Sequence, residues 1–362
     1  MSHYGLSDIA AAQSFTAPVL DYLPPVPRRY RPRIGLIGAG GISEYHLRAY
    51  QKAGWEVAAI CDRTLAKAAA RAREFCPEAR VTSDYRELLA LPDIDVIDAT
   101  PHPAARLLII EEALLAGKHL LSQKPFVLDL AEGERLAALA ERLGLRLAVN
   151  HNGRWAPHFS YMAAAVRAGL IGEVASIDFI LHWDHTWTAG TGFEEMQHLL
   201  LLDFGIHWFD IATVFMRGEP PTRVYASERR TSFQKMRPPF LASVIADYAS
   251  GAQVRFNFNA HVQHGQQDST IIAGSHGTLR ASGPGLNEQR LWLHTAQGEA
   301  EVPLQGCWFD NGFAGSMGEL LCAIEDQREP GNSARSSLAS LRFCMAALAS
   351  ADAGESVALP IA

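Results

Sequence analysis

Arg33-Ile34-Gly35-Leu36-Ile37-Gly38-Ala39-Gly40-Gly41-Ile42-Ser43 is the stretch that decides the fold of this 362-residue chain. The apolar run Ile34 to Ile37 passes straight into glycines, and a helical pattern opens near Ile42. That order reads as strand, tight turn, helix. Gly38 permits the tight turn, and Gly40 lets the backbone approach a pyrophosphate, which the amides of Gly41, Ile42 and the helix start attract. Ser43 replaces the usual third glycine and is small enough for close packing of helix on strand.

About 20 residues further on, Asp62 ends a second apolar run, Val57 to Cys61, where a carboxylate accepts hydrogen bonds from adenosine ribose hydroxyls. Its charge repels a 2'-phosphate and favours NAD. Arg63 beside it can pair with that phosphate, so NADP is the alternative. The plainer reading is a tight turn and nothing more. The preceding strand, the following helix and Asp62 together weigh against that reading.

From Arg33 to about Asn150 the apolar runs at 34–37, 57–61, 96–99, 119–121 and 147–149 alternate with helical segments at 65–75, 104–116 and 131–143. Such alternation predicts a doubly wound parallel sheet, an α/β Rossmann domain over 32–150. After Asn150 the rhythm changes to longer strands, at 174–183, 223–232, 243–248, 252–259, 269–273, 278–281 and 291–295. They predict an α+β domain over 151–362 with a large, mostly antiparallel open sheet. Helices near 203–215, 312–326 and 336–350 would cover one of its faces, the last free to pack back on the Rossmann domain. Residues 1–31 hold Leu23-Pro24-Pro25-Val26-Pro27, which suits neither helix nor central strand, and read as an extended arm.

The composition is that of a globular protein, 48% hydrophobic and 20% charged, with a formal net charge of -7. That balance argues against nucleic acid as a partner. Five widely spaced cysteines without a Cys-x-x-Cys pair favour a reduced, cytoplasmic setting. Arg28, Arg29 and Arg31 before an apolar run imitate an export signal, but the run is short and serves better as the first strand. No apolar stretch approaches the ~20 residues that span a bilayer, so no membrane partner is expected.

Further motifs lie downstream: Thr100-Pro101, Ala116-Gly117-Lys118-His119, Gln123-Lys124-Pro125, Asn152-Gly153-Arg154-Trp155-Ala156-Pro157 and Asp203-Phe204-Gly205-Ile206-His207-Trp208-Phe209-Asp210. Together they closely resemble the glucose-fructose oxidoreductase, inositol dehydrogenase and rhizopine-catabolism family (Gfo/Idh/MocA), over about residues 33–358. The resemblance implies oxidation of a secondary hydroxyl of a small sugar or polyol with NAD or NADP, with Lys124, Asp203 and His207 at the site. It also implies Thr100, Pro101, His102, Gln123 and Lys124 beside the cofactor, and a homodimer or homotetramer built through the open sheet. Two positions depart from the family: Gln123 stands where Glu is usual, and Ala105 where a His often follows Thr-Pro.

Chemistry gives the same residues roles. Removing hydride from a carbinol carbon requires a base for the hydroxyl proton, and His207 is the candidate. Asp203, four residues earlier, would share its helix face and orient the imidazole, and Asp210 would continue that face. Lys124, just past the fifth strand, would stabilise a developing alkoxide. The alternatives are a surface lysine, a helix-surface ion pair, and a metal held by His198, Asp203, His207 and Asp210. No His-x-x-x-His pair or cysteine ligand supports the metal, and none is expected.

Trp183, His185 and Trp187 in the segment His182–Trp187 would cover a sugar's apolar face and meet its hydroxyls, with Asn152, Arg154, Trp155 and His198 nearby. Tryptophans packed in a core are the plainer reading. Arg154 is the single arginine near these residues, which favours a neutral substrate. Other functions open to the same residues are an enzyme that keeps its cofactor bound, as in paired sugar oxidation and reduction or glycoside hydrolysis, and a silent dinucleotide sensor.

Overall fold

The computed structural model describes residues 13–359. In the first domain β1 (Arg33–Ile37), α1 (Ser43–Ala53), β2 (Glu56–Cys61), α2 (Leu65–Phe75), β3 (Arg80–Thr82), α3 (Tyr85–Leu89), β4 (Val96–Ala99), α4 (Pro103–Leu115), β5 (His119–Ser122), α5 (Leu130–Arg142) and β6 (Leu147–Val149) follow one another. Their strands form one parallel sheet in the order β3-β2-β1-β4-β5-β6, the doubly wound dinucleotide-binding order. Its strands are buried on both faces, as in β4, where all four residues are inaccessible to solvent. The sequence pattern anticipates five of the six. β3 is only three residues long and carries Arg80, so it leaves no periodic trace.

The second domain runs α6 (Pro157–Arg167), β7 (Val174–His182), α7 (Ile206–Phe215), β8 (Pro221–Arg229), β9 (Leu241–Tyr248), β10 (Gln253–Asn259), β11 (Gln267–Gly274), β12 (Gly277–Gly285), β13 (Glu288–Thr295), β14 (Gly298–Val302), α8 (Trp308–Glu325), α9 (Ala334–Ala353) and β15 (Val357–Ala358). Its nine strands lie in the order β14-β13-β12-β11-β7-β10-β9-β8-β15. All neighbours are antiparallel except β7 and β10. Alternate residues such as Ile177, Phe179 and Leu181 of β7 and Val254, Phe256 and Phe258 of β10 face inward and are buried.

The helices do not all cover that sheet, as the pattern predicts. α7 and α6 pack on it, whereas α8 lies mainly against α1 of the first domain. α9 bridges the two, resting on α7 and β8 while Arg335 and Arg342 pair with Glu141 and Glu134 of α5. The described part of the N-terminal arm clasps its own chain. Tyr161 Oη donates to the carbonyl of Pro18 and Ser160 Oγ to that of Tyr22, each at 2.7 Å, and Glu325 accepts from the amides of Arg29 and Tyr30. Residues 1–12 of that arm lie outside the described residues.

Candidate functional site

The turn after β1 is built by backbone demands. Gly38 sits at φ +96, and a Cβ there would meet Thr100 Oγ1 at 2.5 Å, so only glycine fits without strain. Thr100 Oγ1 in turn donates to the Gly38 carbonyl at 2.9 Å, locking the turn to the end of β4. Space is open above Gly40 and Gly41. Among the described residues no protein acceptor meets the amides of Gly40, Gly41 or Ile42, which lead into α1. Ser43 Oγ donates to the Gly40 carbonyl at 2.6 Å. Asp62 accepts from the amides of Ala39 and Thr64, both at 2.8 Å, which fixes its carboxylate beside the turn, with Arg63 exposed next to it. Free amides at a helix start, open space over glycine and a fixed acid at the next strand's end are the donor and acceptor set that a dinucleotide needs.

The next two crossovers are held by a residue to which the sequence pattern assigns no role. Arg106, wholly buried in α4, donates to the carbonyls of Pro101 at 2.5 Å and of Pro125, so one guanidinium ties the loop after β4 to the loop after β5. Burial lowers its pKa to about 9, opposed by the charge of Asp203. Its sequence signal is slight, an arginine on the inward face of an otherwise apolar helix. Pro101 and His102 open α4, with His102 exposed.

Gln123 points beneath α1. Its Nε2 lies 3.3 Å from His46 Nε2, and its Oε1 accepts from the amide of Lys124 at 2.6 Å. The other nitrogen of His46 lies 2.7 Å from Asp98, which also accepts from Tyr50 Oη at 2.7 Å. Asp98 thus supplies the carboxylate to this imidazole. A neutral residue at 123 spares the same buried cluster a second negative charge.

Lys124 reaches across the domain boundary. Its Nζ donates to the carbonyl of Asp203 at 2.8 Å and lies 3.2 Å from that residue's carboxylate. Helical spacing predicts Asp203 orienting His207, and the structure differs. Residues 199–204 form a π-helical turn and α7 begins only at Ile206, so the four-residue spacing does not stack the two side chains. Asp203 positions the lysine instead. His207 is half-buried, and its Nδ1 is enclosed without a protein partner. Burial, and then the Lys124 charge, hold its pKa well below the ordinary value, so the imidazole is neutral near pH 7.

Asp210 leaves that face as well. It takes Arg154 in a two-pronged pair, at 2.6 and 2.5 Å, and accepts from Ser340 Oγ at 2.8 Å. Burial works against its ionisation, but Arg154 and His151 hold its pKa below the usual carboxylate range. Arg154 also donates to Gly331 and Ser336, which leaves it employed inside the fold. Asn152 Oδ1 accepts from Trp308 Nε1 at 3.2 Å, and Trp155 packs against Gly315 of α8.

Trp308 is a second residue outside the sequence-derived set. Its ring lies 5.8 Å from that of His207 and 5.5 Å from that of Trp208. Trp183 is buried against Trp208 at 4.8 Å, His185 packs 4.2 Å from Phe204, and Trp187 is 57% exposed and donates to His185 Nδ1 at 3.2 Å. Burial lowers the His185 pKa to about 4. His198 turns elsewhere, 2.5 Å from Glu228 and 3.4 Å from Asp352. Its bond to Glu228 raises its pKa. The four residues His198, Asp203, His207 and Asp210 are therefore dispersed among different partners. Among the described residues no group of three or more metal-ligating side chains is gathered, and no helix is long and apolar enough to cross a membrane.

Known proteins match this arrangement along nearly the whole chain. Residues 32–151 match the model described as oxidoreductase family, NAD-binding Rossmann fold, and residues 159–280 match the GFO/IDH/MocA C-terminal domain. D-apiose dehydrogenase of Paraburkholderia graminis is 28% identical over 344 residues, covering 90% of this chain and 88% of that protein. Inositol 2-dehydrogenase of Rhizobium meliloti is 27% identical, covering 88% and 96%. An oxidoreductase from Agrobacterium radiobacter, solved in complex with NAD+, L-tartaric acid and magnesium, superposes with a TM-score of 0.81 at 22% identity, covering 91% and 98%. With both domain models matched in order on a fold of this topology, the chain belongs to the GFO/IDH/MocA family of NAD-binding oxidoreductases.

Proposed function

We propose that the protein is an NAD-dependent dehydrogenase that oxidises a secondary hydroxyl of a small neutral sugar or polyol, with His207 as the general base. One observation carries the reading: a neutral, enclosed imidazole with an unpartnered nitrogen shares a site with an ammonium fixed by Asp203. Bound NAD supplies the hydride acceptor. The chain's own residues manage the proton and the charge: His207 accepts the hydroxyl proton as the carbon loses hydride, and Lys124 stabilises the developing alkoxide. Asp203 positions the ammonium through both its carboxylate and its carbonyl.

Asp62 would receive the adenosine ribose, and the amides of Gly40, Gly41 and Ile42 the pyrophosphate. Trp183, His185 and Trp187 stand on the substrate side, while the open face of the nine-stranded sheet, with Tyr225 and Ile245 exposed, suits self-association. Purified protein mixed with NAD and a panel of neutral sugars and polyols should show absorbance growing near ~340 nm, the nicotinamide band on which cofactor-linked hydride transfer is read. No growth with any of them would sink the reading.

A further inference from the structure

One acid of the second domain lies where the strand pattern calls for an apolar residue. Phe258 of β10, Leu181 of β7 and Asp268 of β11 stand side by side across the inner face of the sheet. Phe258 and Leu181 are buried apolar residues, and Asp268 is equally buried at 1% exposure. Neither of its carboxyl oxygens has a protein partner. Two residues along the same face, Thr270 also has an enclosed, unpartnered hydroxyl, and so does the amide oxygen of Gln289 on β13. Gln289 Nε2 meanwhile reaches the backbone carbonyl of Asp268 at 3.5 Å and that of Gly285 at 2.8 Å. Leaving so many polar atoms unsatisfied in an apolar layer is costly, and such a cost persists where a ligand satisfies them.

A cavity of about 350 Å³ adjoins the cluster. Its walls include Gly283, Gln289, His158 and Trp308. Gly283 is the residue paired with Asp268 across the strands and puts no side chain between the acid and the cavity. Trp308 is the residue whose ring meets His207 at 5.8 Å. The cavity therefore lies between the proposed base and the orphaned acid.

The chemistry of the orphans specifies the ligand. Asp268 Oδ1 and Oδ2 and Gln289 Oε1 are acceptors, Thr270 Oγ1 can accept, and no cation faces them: Arg154 is consumed by Asp210. Such a wall favours a molecule that offers hydroxyl donors and disfavours one that brings a carboxylate or phosphate. Burial raises the Asp268 pKa to about 7, in keeping with a carboxyl that has no donor in the free protein.

We propose that Asp268, with Thr270 and Gln289, forms the hydroxyl-receiving wall of the substrate cavity, binding adjacent hydroxyls of a neutral polyol or sugar away from the carbon that loses hydride. This rests on the dehydrogenase reading above and selects, within it, against sugar acids and sugar phosphates.

The test compares wild type, Asp268→Leu and the near-isosteric Asp268→Asn, all loaded with NAD. Each is titrated with myo-inositol, D-xylose, D-glucose and gluconate, following tryptophan fluorescence for binding and cofactor reduction for turnover. In wild type the neutral compounds bind and gluconate does not. Asp268→Leu should raise KM or Kd for the accepted neutral compound at least ~10-fold, within the 1–3 kcal/mol typical of a lost buried hydrogen-bonding group, and change kcat less. Asp268→Asn, which keeps one acceptor, should fall between. NAD affinity should stay within twofold, and the melting temperature should not fall, because a purely structural acid would lower it and a ligand-binding one would not.

KM and Kd within twofold of wild type in both variants overturn the proposal and leave the dehydrogenase reading standing. Turnover of gluconate in preference to every neutral compound does the same. Binding of neutral compounds that weakens in Asp268→Leu, with no cofactor reduction in any protein, supports the wall and overturns the dehydrogenase reading. No binding of any compound overturns both.

Discussion

The two halves of the site are built by opposite means. On the cofactor side Gly38, Gly40, Gly41, Ile42 and Asp62 lie within two strand-to-helix turns, and what they present is backbone: amides without acceptors and a carboxylate tied to two more amides. On the substrate side Lys124, Asp203, His207 and Trp308 come from four separate places in the chain, and what they present is side chains whose charge state depends on burial. A site of backbone amides is set by local conformation and tolerates changes elsewhere. One assembled from distant side chains depends on the packing between domains.

If that contrast holds, acid should distinguish the two halves most strongly. His151, His158 and His185 are buried neutral, with pKa values lowered by burial to about 4, 3 and 4. Folded values below the unfolded ~6.5 mean that the stability they confer is complete above that pH and is lost as pH falls toward 4 and 3. Hydrogen exchange at pH 7 and pH 4.5 should show α6, α7 and the segment 183–205 losing protection before β1, α1 and β2. Uniform loss across both domains would break the comparison.

His207→Ala comes next, with kcat expected to fall ~10²–10⁴-fold while NAD affinity is retained. Unchanged turnover would remove His207 as the base. Arg154→Ala strands the buried carboxylate of Asp210 and should cost about 3–5 kcal/mol of stability, read as a fall in the urea midpoint. A loss of substrate affinity with stability intact would instead return Arg154 to the substrate.

Gly38→Val forces a β-branched residue to φ +96 against Thr100. It should cost about 1–3 kcal/mol, appearing as weaker NAD binding by calorimetry with the substrate side unaltered. Asp62→Ser should have the smallest effect, narrowing the preference for NAD over NADP by ~10-fold. Were the two cofactors to bind Asp62→Ser in the wild-type ratio, the acid would have no part in the choice.

The same contrast explains what could be read without coordinates. The strand order of the first domain and its phosphate turn follow from glycines and apolar runs whose meaning is local. Gln123 reads as a departure from the family, yet its sense appears only with Asp98 2.7 Å from His46, already holding the negative charge there. Asp203 and His207 were legible as residues but not in their relation, because a π-helical turn replaces the α-helical spacing that four residues imply. Asp268 was legible in principle: an acid in a strand of period two, on the face of Thr270 and Ile272. Beginning that strand at Ser269 hides it, since strand ends carry the weakest periodic signal.

By itself, then, the sequence determined the two-domain α/β architecture, the dinucleotide turn and the identity of Lys124, Asp203 and His207 as the residues to watch, because these rest on chain periodicity and on backbone conformations that few residues permit. Tertiary structure alone decided that Asp203 holds the lysine, that Arg154 serves Asp210, and that an unpartnered acid stands beside the cavity. Each of those depends on which side chains from distant segments meet in a place without water to compensate them.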